Sequence, residues 1–131
     1  MAVTSLPLPE GVDVLLVGLR DVDAQVRTLA VGRLGDSGRV EAVVPLTGLV
    51  RDRTPRVRAA AAFALGRLAH ESATPALLRL ADDPYRHVRE RAVQALGRVG
   101  GPAAVDALLA MTSDPEPLQR ARQRSARSSR R

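Results

Sequence analysis

"DRTPRVRAAAAFALGRLA", residues 52–69, places Asp52 six positions ahead of Arg58, with Val57 just before the arginine. The same arrangement returns at Asp83, Val88 and Arg89. Sliding the sequence until Asp21 falls on Asp52 also brings Asp83 and Asp114 into line, without a gap. Val26, Val57 and Val88 then coincide, as do Arg27, Arg58, Arg89 and Arg120. Ala30, Ala61 and Ala92 follow, and after them Leu34-Gly35, Leu65-Gly66 and Leu96-Gly97. Leu46, Leu77 and Leu108 share a column in the other half of the unit. Agreement at so many columns identifies an internal repeat, and the repeat decides the fold.

Each unit reads as two helices. In the quoted stretch Val57, Ala61, Ala64, Leu65 and Leu68 recur at three- and four-residue steps, which makes one apolar helix face. Thr54 is placed to N-cap that helix, with Pro55 at its first position; Asp83-Pro84 and Asp114-Pro115 repeat the device. The partner helix, "TPALLRLA" at residues 74–81, carries Leu77, Leu78, Leu80 and Ala81. Gly100-Gly101-Pro102 separates one unit from the next. One hairpin cannot bury its apolar face alone, whereas stacked hairpins can, so the expected fold is an all-α solenoid. No segment alternates with period two for long enough to predict a strand.

Composition agrees. Aromatic residues make up 2% of the 131 residues, so the core must be Leu, Val and Ala. Cysteine is absent, which excludes disulfides, thiolate metal sites and a cysteine nucleophile. All 20 basic residues are arginine, and the net charge is +6. Residues 1–113 hold 14 Arg against 12 acidic residues, whereas residues 114–131 hold 6 Arg against Asp114 and Glu116. Most of the excess charge therefore sits in the tail. Phosphate contact is one account of the arginines, and a GC-rich genome that replaces lysine throughout is the other.

The pattern Asp-x4-Val-Arg-x2-Ala-x3-Leu-Gly resembles the HEAT repeat, especially the short HEAT-like repeats named for phycobilin (PBS) lyases. Pro75, eight before Asp83, stands where such repeats often carry a proline that bends the first helix; Pro45 is displaced by one place and Asp106 replaces it in the next copy. The resemblance covers about residues 10–120 and implies a right-handed α-α superhelix of about three and a half units. The expected organisation is an N-terminal cap segment at 1–9, a repeat domain at 10–122 and a basic, disordered tail at 123–131. The resemblance also implies that Asp21/Arg27, Asp52/Arg58 and Asp83/Arg89 form a ladder through the stack. Ligand binding is the alternative role for these arginines, but a feature that recurs with the period is expected to be scaffold.

Function is expected where the copies differ. By the same resemblance the second helix of each pair lines the concave face. Its solvent-facing positions are Gln25, Thr28 and Gly32 in one copy and Arg56, Ala59, Phe63 and Arg67 in the next. In the third they are His87, Glu90, Arg91, Gln94 and Arg98. Arg56, Phe63, Arg67, His87, Arg91, Gln94 and Arg98 are therefore the expected partner-binding residues. Phe63, the only phenylalanine, shares a column with Gly32 and Gln94, so the repeat does not need it for packing. It is either an interface anchor or a ring tilted into the core. His70 and His87 are far apart in the chain, with no companion ligand at a metal spacing, so no metal or cofactor is expected.

The segment "VDVLLVGL" at 12–19 is markedly apolar: "SLPLP" covers it, or it offers a surface for a partner or self-association. In the last unit Gln123, Arg127 and Ser128 replace the Ala and Leu-Gly columns, as suits a polar cap. No nucleophile-base pair, carboxylate pair or phosphate loop is apparent, so no catalysis is expected. A protein-interaction scaffold leads. Nucleic-acid binding through the arginines is the alternative, and a bilin lyase or chaperone-type subunit a third. Without an apolar run long enough to span a bilayer or a signal-peptide pattern, the expected compartment is the cytoplasm.

Overall fold

A computed structural model describes residues 12–113. The cap segment at 1–9, the Asp114, Pro115 and Arg120 columns and the basic tail lie outside the described residues. The described chain is all-α, with seven α-helices: α1 (Val12–Gly18), α2 (Ala24–Asp36), α3 (Val43–Thr47), α4 (Pro55–Leu68), α5 (Thr74–Leu80), α6 (Arg86–Val99) and α7 (Gly101–Ser113). Short 3-10 turns at Val40–Ala42, Gly48–Arg51 and Glu71–Ala73 flank α3 and precede α5. The helices form two layers. The longer second helices α2, α4 and α6 pack side by side, and α3 and α5 back onto α4 and α6.

The second helices begin one repeat apart, at Ala24, Pro55 and Arg86, so Asp23, Thr54 and Tyr85 are their N-caps. This corrects the reading of Asp83-Pro84 as a cap pair, because that helix starts two positions later. Thr54 has the extended N-cap backbone but no capping side-chain bond. Its hydroxyl lies 3.2 Å from Arg27 Nη2, which donates to it. The aspartate column instead closes the turn ahead of the cap. Asp21, Asp52 and Asp83 accept the amides of Asp23, Thr54 and Tyr85 at 2.8, 2.9 and 2.9 Å.

Proline shapes the first helices. Pro75 lies in the first turn of α5, where its missing N–H is unused, and a 3-10 turn precedes it. It thus starts a short helix instead of bending a continuous one. α7 carries Asp106 in that column and runs unbroken for 13 residues.

The core is aliphatic, with Leu34, Leu46, Leu65, Leu77, Leu80 and Leu96 all fully buried. Two expectations about faces change. Ala59, read as solvent-facing, is 4% exposed, because α4 lies between α2 and α6 and is covered on both flanks. Leu78, one of the leucines of the partner helix, is exposed together with Leu109 in the same column, on the outside of the first-helix layer. At the N-terminal edge Leu15 and Leu16 of α1 pack on the core, while Val14 and Val17 face outward.

The Leu-Gly column explains how closely the second helices approach. A Cβ built on Gly35 would lie 2.8 Å from Ala64 Cβ, and one on Gly66 would lie 2.8 Å from Ala95 Cβ. Each glycine therefore holds the backbone of the next second helix, and the residue that meets it there must be small. A second column is set by backbone conformation. Gly38, Ala69 and Gly100, which share one column of the repeat, take φ of 70, 53 and 69° where one unit turns into the next.

Candidate partner-binding face

The recurring arginines are tied into the stack. Arg27 Nε donates to Asp52 Oδ2 at 2.9 Å and its Nη2 to Oδ1 at 3.2 Å. Arg58 repeats the fork on Asp83, at 2.7 and 3.3 Å. The pairing joins the arginine of one unit to the carboxylate of the next. Within its own unit the arginine reaches only backbone: Arg27 Nη1 donates to the Asp21 carbonyl at 2.8 Å, and Arg58 Nη1 to that of Asp52 at 2.6 Å. Arg89 Nη1 donates to the Asp83 and Pro84 carbonyls, both at 2.9 Å. The paired side chains are buried, at 7% and 7% for Arg27 and Asp52 and 11% and 6% for Arg58 and Asp83. A planar fork matched to a carboxylate is the strongest such geometry, and it commits these two arginines to the stack instead of to a ligand.

The face of α2, α4 and α6 that the irregular residues occupy is different. Phe63 is 44% exposed, so its ring is neither free nor tilted into the core. Arg91 of α6 lays its guanidinium carbon 5.0 Å from the ring centroid, and Arg67 of α4 sits at 6.0 Å. Both are at cation–π range, worth about 0.5–1 kcal/mol each at an exposed site. Beside the ring runs a groove of about 300 Å³ whose lining includes Thr28, Arg56, Ala59, His87 and Arg91. The buried Ala59 thus belongs to the groove as its lining, not to the helix surface.

The structure therefore gathers Arg56, Phe63, His87 and Arg91 around one groove and leaves three expected residues outside its lining. Arg67 touches the ring and also pairs with Asp36 at 3.3 Å, in an exposed ion pair. Gln94 and Arg98 are exposed but do not line the groove. The Arg98 Cδ lies 3.6 Å from the Cβ position of Gly66, so its stem covers the closely packed end of α4. Thr28 and Ala60 complete the lining; neither is charged or aromatic, so only their neighbours mark them.

Tyr85, exposed on the turn edge, holds the Arg58 guanidinium 5.6 Å from its ring. Sequence reasoning passes over it, although it is the one tyrosine and occupies a cap column otherwise held by Asp23 and Thr54. His70 ends α4's loop as the cap of the Glu71–Ala73 turn, its Nδ1 accepting the Ser72 amide at 3.1 Å. Among the described residues no group of three or more His, Asp and Glu is arranged to hold a metal, and no helix is long and apolar enough to cross a membrane.

Stacked helical hairpins with buried inter-unit ion pairs and an irregular side-chain face define a helical-repeat solenoid. A family model described as HEAT repeats matches residues 44–129, more than half of the chain, and the chain belongs to the HEAT repeat family. No curated protein matches it.

Proposed function

We propose that the protein is a non-catalytic, cytoplasmic interaction module that binds a partner protein on the α2–α4–α6 face. The observation that carries this reading is Phe63. A ring in a column that holds Gly32 and Gln94 elsewhere stands 44% exposed between two guanidinium groups. An exposed aromatic flanked by arginine is the composition of an interface hot spot. Arg56, His87 and Arg91 line the adjoining groove without a carboxylate among them, which suits an acidic segment carrying an apolar side chain for the ring. The HEAT family supports the scaffold role. The repeat is of the short type named for phycobilin lyases, and that subtype is part of the proposal.

The test is quantitative affinity capture from the native host with the wild-type chain, Phe63→Ala and Val44→Ser, an exposed control on the other layer. Partners lost with Phe63→Ala and retained with Val44→Ser are the expected result, with unchanged circular dichroism for all three. Identical partners for all three would refute the assignment. Arg98→Glu is a poorer probe than sequence reasoning implies, because its stem packs at Gly66. Binding to mixed-sequence DNA at low salt, falling steeply as salt rises, would move the reading to nucleic acid.

A further inference from the structure

The C-terminal edge of the described stack presents two unfinished contacts. In Arg27 and Arg58, Nε donates to the aspartate of the following unit, at 2.9 and 2.7 Å. In Arg89 the same atom is buried and has no hydrogen-bond partner among the described residues. Leaving a buried guanidinium N–H unmet is costly, so a missing acceptor is implied. The second contact is Gly97. Gly35 and Gly66 each lie against an alanine of the next second helix, Ala64 and Ala95, whereas a Cβ on Gly97 would meet none of the described residues within 4 Å.

We propose that residues 114–127 of this chain dock on α6 as the second helix of a fourth unit, with Asp114 accepting Arg89 Nε and Ala126 seated on Gly97. The register supplies both partners without a gap. The step from Arg27 to Asp52 and from Arg58 to Asp83, taken from Arg89, lands on Asp114. The step from Gly35 to Ala64 and from Gly66 to Ala95, taken from Gly97, lands on Ala126. Pro117 falls in the same column as Pro55, which starts α4, and one repeat after Arg86, which starts α6, so it stands at the first helical position, where proline is accepted. The ordered domain then reaches past the boundary at 122 that the loss of the apolar columns implies. A second copy of the chain is the competing occupant, because Asp21 at the N-terminal edge is exposed. It fits less well: the position that must be small, held by Ala64 and Ala95 in the inner units, is Arg33 in the first. The docked helix is held more weakly than α6 on α4, since Gln119, Gln123 and Arg127 occupy the columns of Val88, Ala92 and Leu96.

The experiment compares the full chain with Asp114→Arg, Ala126→Trp, Arg89→Asp and the double variant Arg89→Asp/Asp114→Arg. Thermal melts and amide hydrogen exchange across 117–127 are the readouts. Asp114→Arg and Ala126→Trp are expected to lower the midpoint by about 4–8 °C, the shift of a lost contact in a domain near this size, and to speed exchange across 117–127. The double variant is expected to recover both. Should Arg89→Asp fail to fold, the other single variants still decide. Wild-type midpoint and exchange in both Asp114→Arg and Ala126→Trp would overturn the proposal. So would a midpoint that rises with protein concentration and falls in Asp21→Arg, which would assign the edge to a second copy.

Discussion

Gly66 and Gly97 close the same Leu-Gly dipeptide one repeat apart and meet different surroundings. At Gly66 a Cβ would lie 2.8 Å from Ala95 Cβ and 2.9 Å from its Cα; at Gly97 it would meet none of the described residues. Val57 and Val26 differ in the same way, fully buried in the middle unit and 38% exposed at the N-terminal edge. So do Asp83, which holds Arg58, and Asp21, whose carboxylate accepts the Asp23 amide at the exposed edge. A recurring residue marks where an interface forms, but the interface exists only where a neighbouring unit arrives. The energetic weight of one column therefore varies along the stack.

Substitutions at matched columns test that contrast. The largest effect is expected at Asp83→Ala. It strands the Arg58 guanidinium in a buried site, which costs about 3–5 kcal/mol, while the matched Asp21→Ala should stay within about 0.5 kcal/mol. Urea denaturation measures both, and equal losses would abolish the distinction between middle and edge. Next comes Leu65→Ala, a fully buried side chain whose loss should cost about 2–5 kcal/mol by the same assay. An unchanged midpoint would contradict the assigned core.

Gly66→Ala should destabilise by about 1–3 kcal/mol, because the Ala95 backbone has to move. Gly97→Ala should cost less than Gly66→Ala, because the segment proposed to seat Ala126 there is held more weakly and yields more easily. Thermal melts showing equal losses for the two variants would abolish the distinction. The smallest effect is at the unit boundary. Ala69 is in the left-handed conformation, at a position where Gly38 and Gly100 of the same column also take a positive φ. Ala69→Gly removes that strain at some cost in chain entropy, for a net gain of about 0.5–1 kcal/mol. A lower melting point for this variant would show that the turn is not strained.

Much of the fold was legible because it is periodic. The spacing of Asp52, Val57, Arg58, Ala61 and Leu65 repeats often enough to fix two helices per unit and the faces they bury. The helix starts were less legible. Asp83-Pro84 has the residues of a cap, yet the turn it closes delays the helix to Arg86. Ala59 misled for a related reason: a helical wheel shows one apolar face, whereas α4 has neighbours on both flanks. At the binding face, the oddity of Phe63 in its column was visible in the sequence. The two guanidinium groups beside it, one from its own helix and one from the next, were not.

The repeat, its length and its all-α character follow from the order of residues alone, because helical periodicity and turn chemistry are local properties of the chain. Which carboxylate each arginine grips, which glycine is crowded and which arginine of the next helix stacks on Phe63 were settled only by folding. Those contacts join residues of different units, distant in the chain, and depend on how closely neighbouring backbones approach.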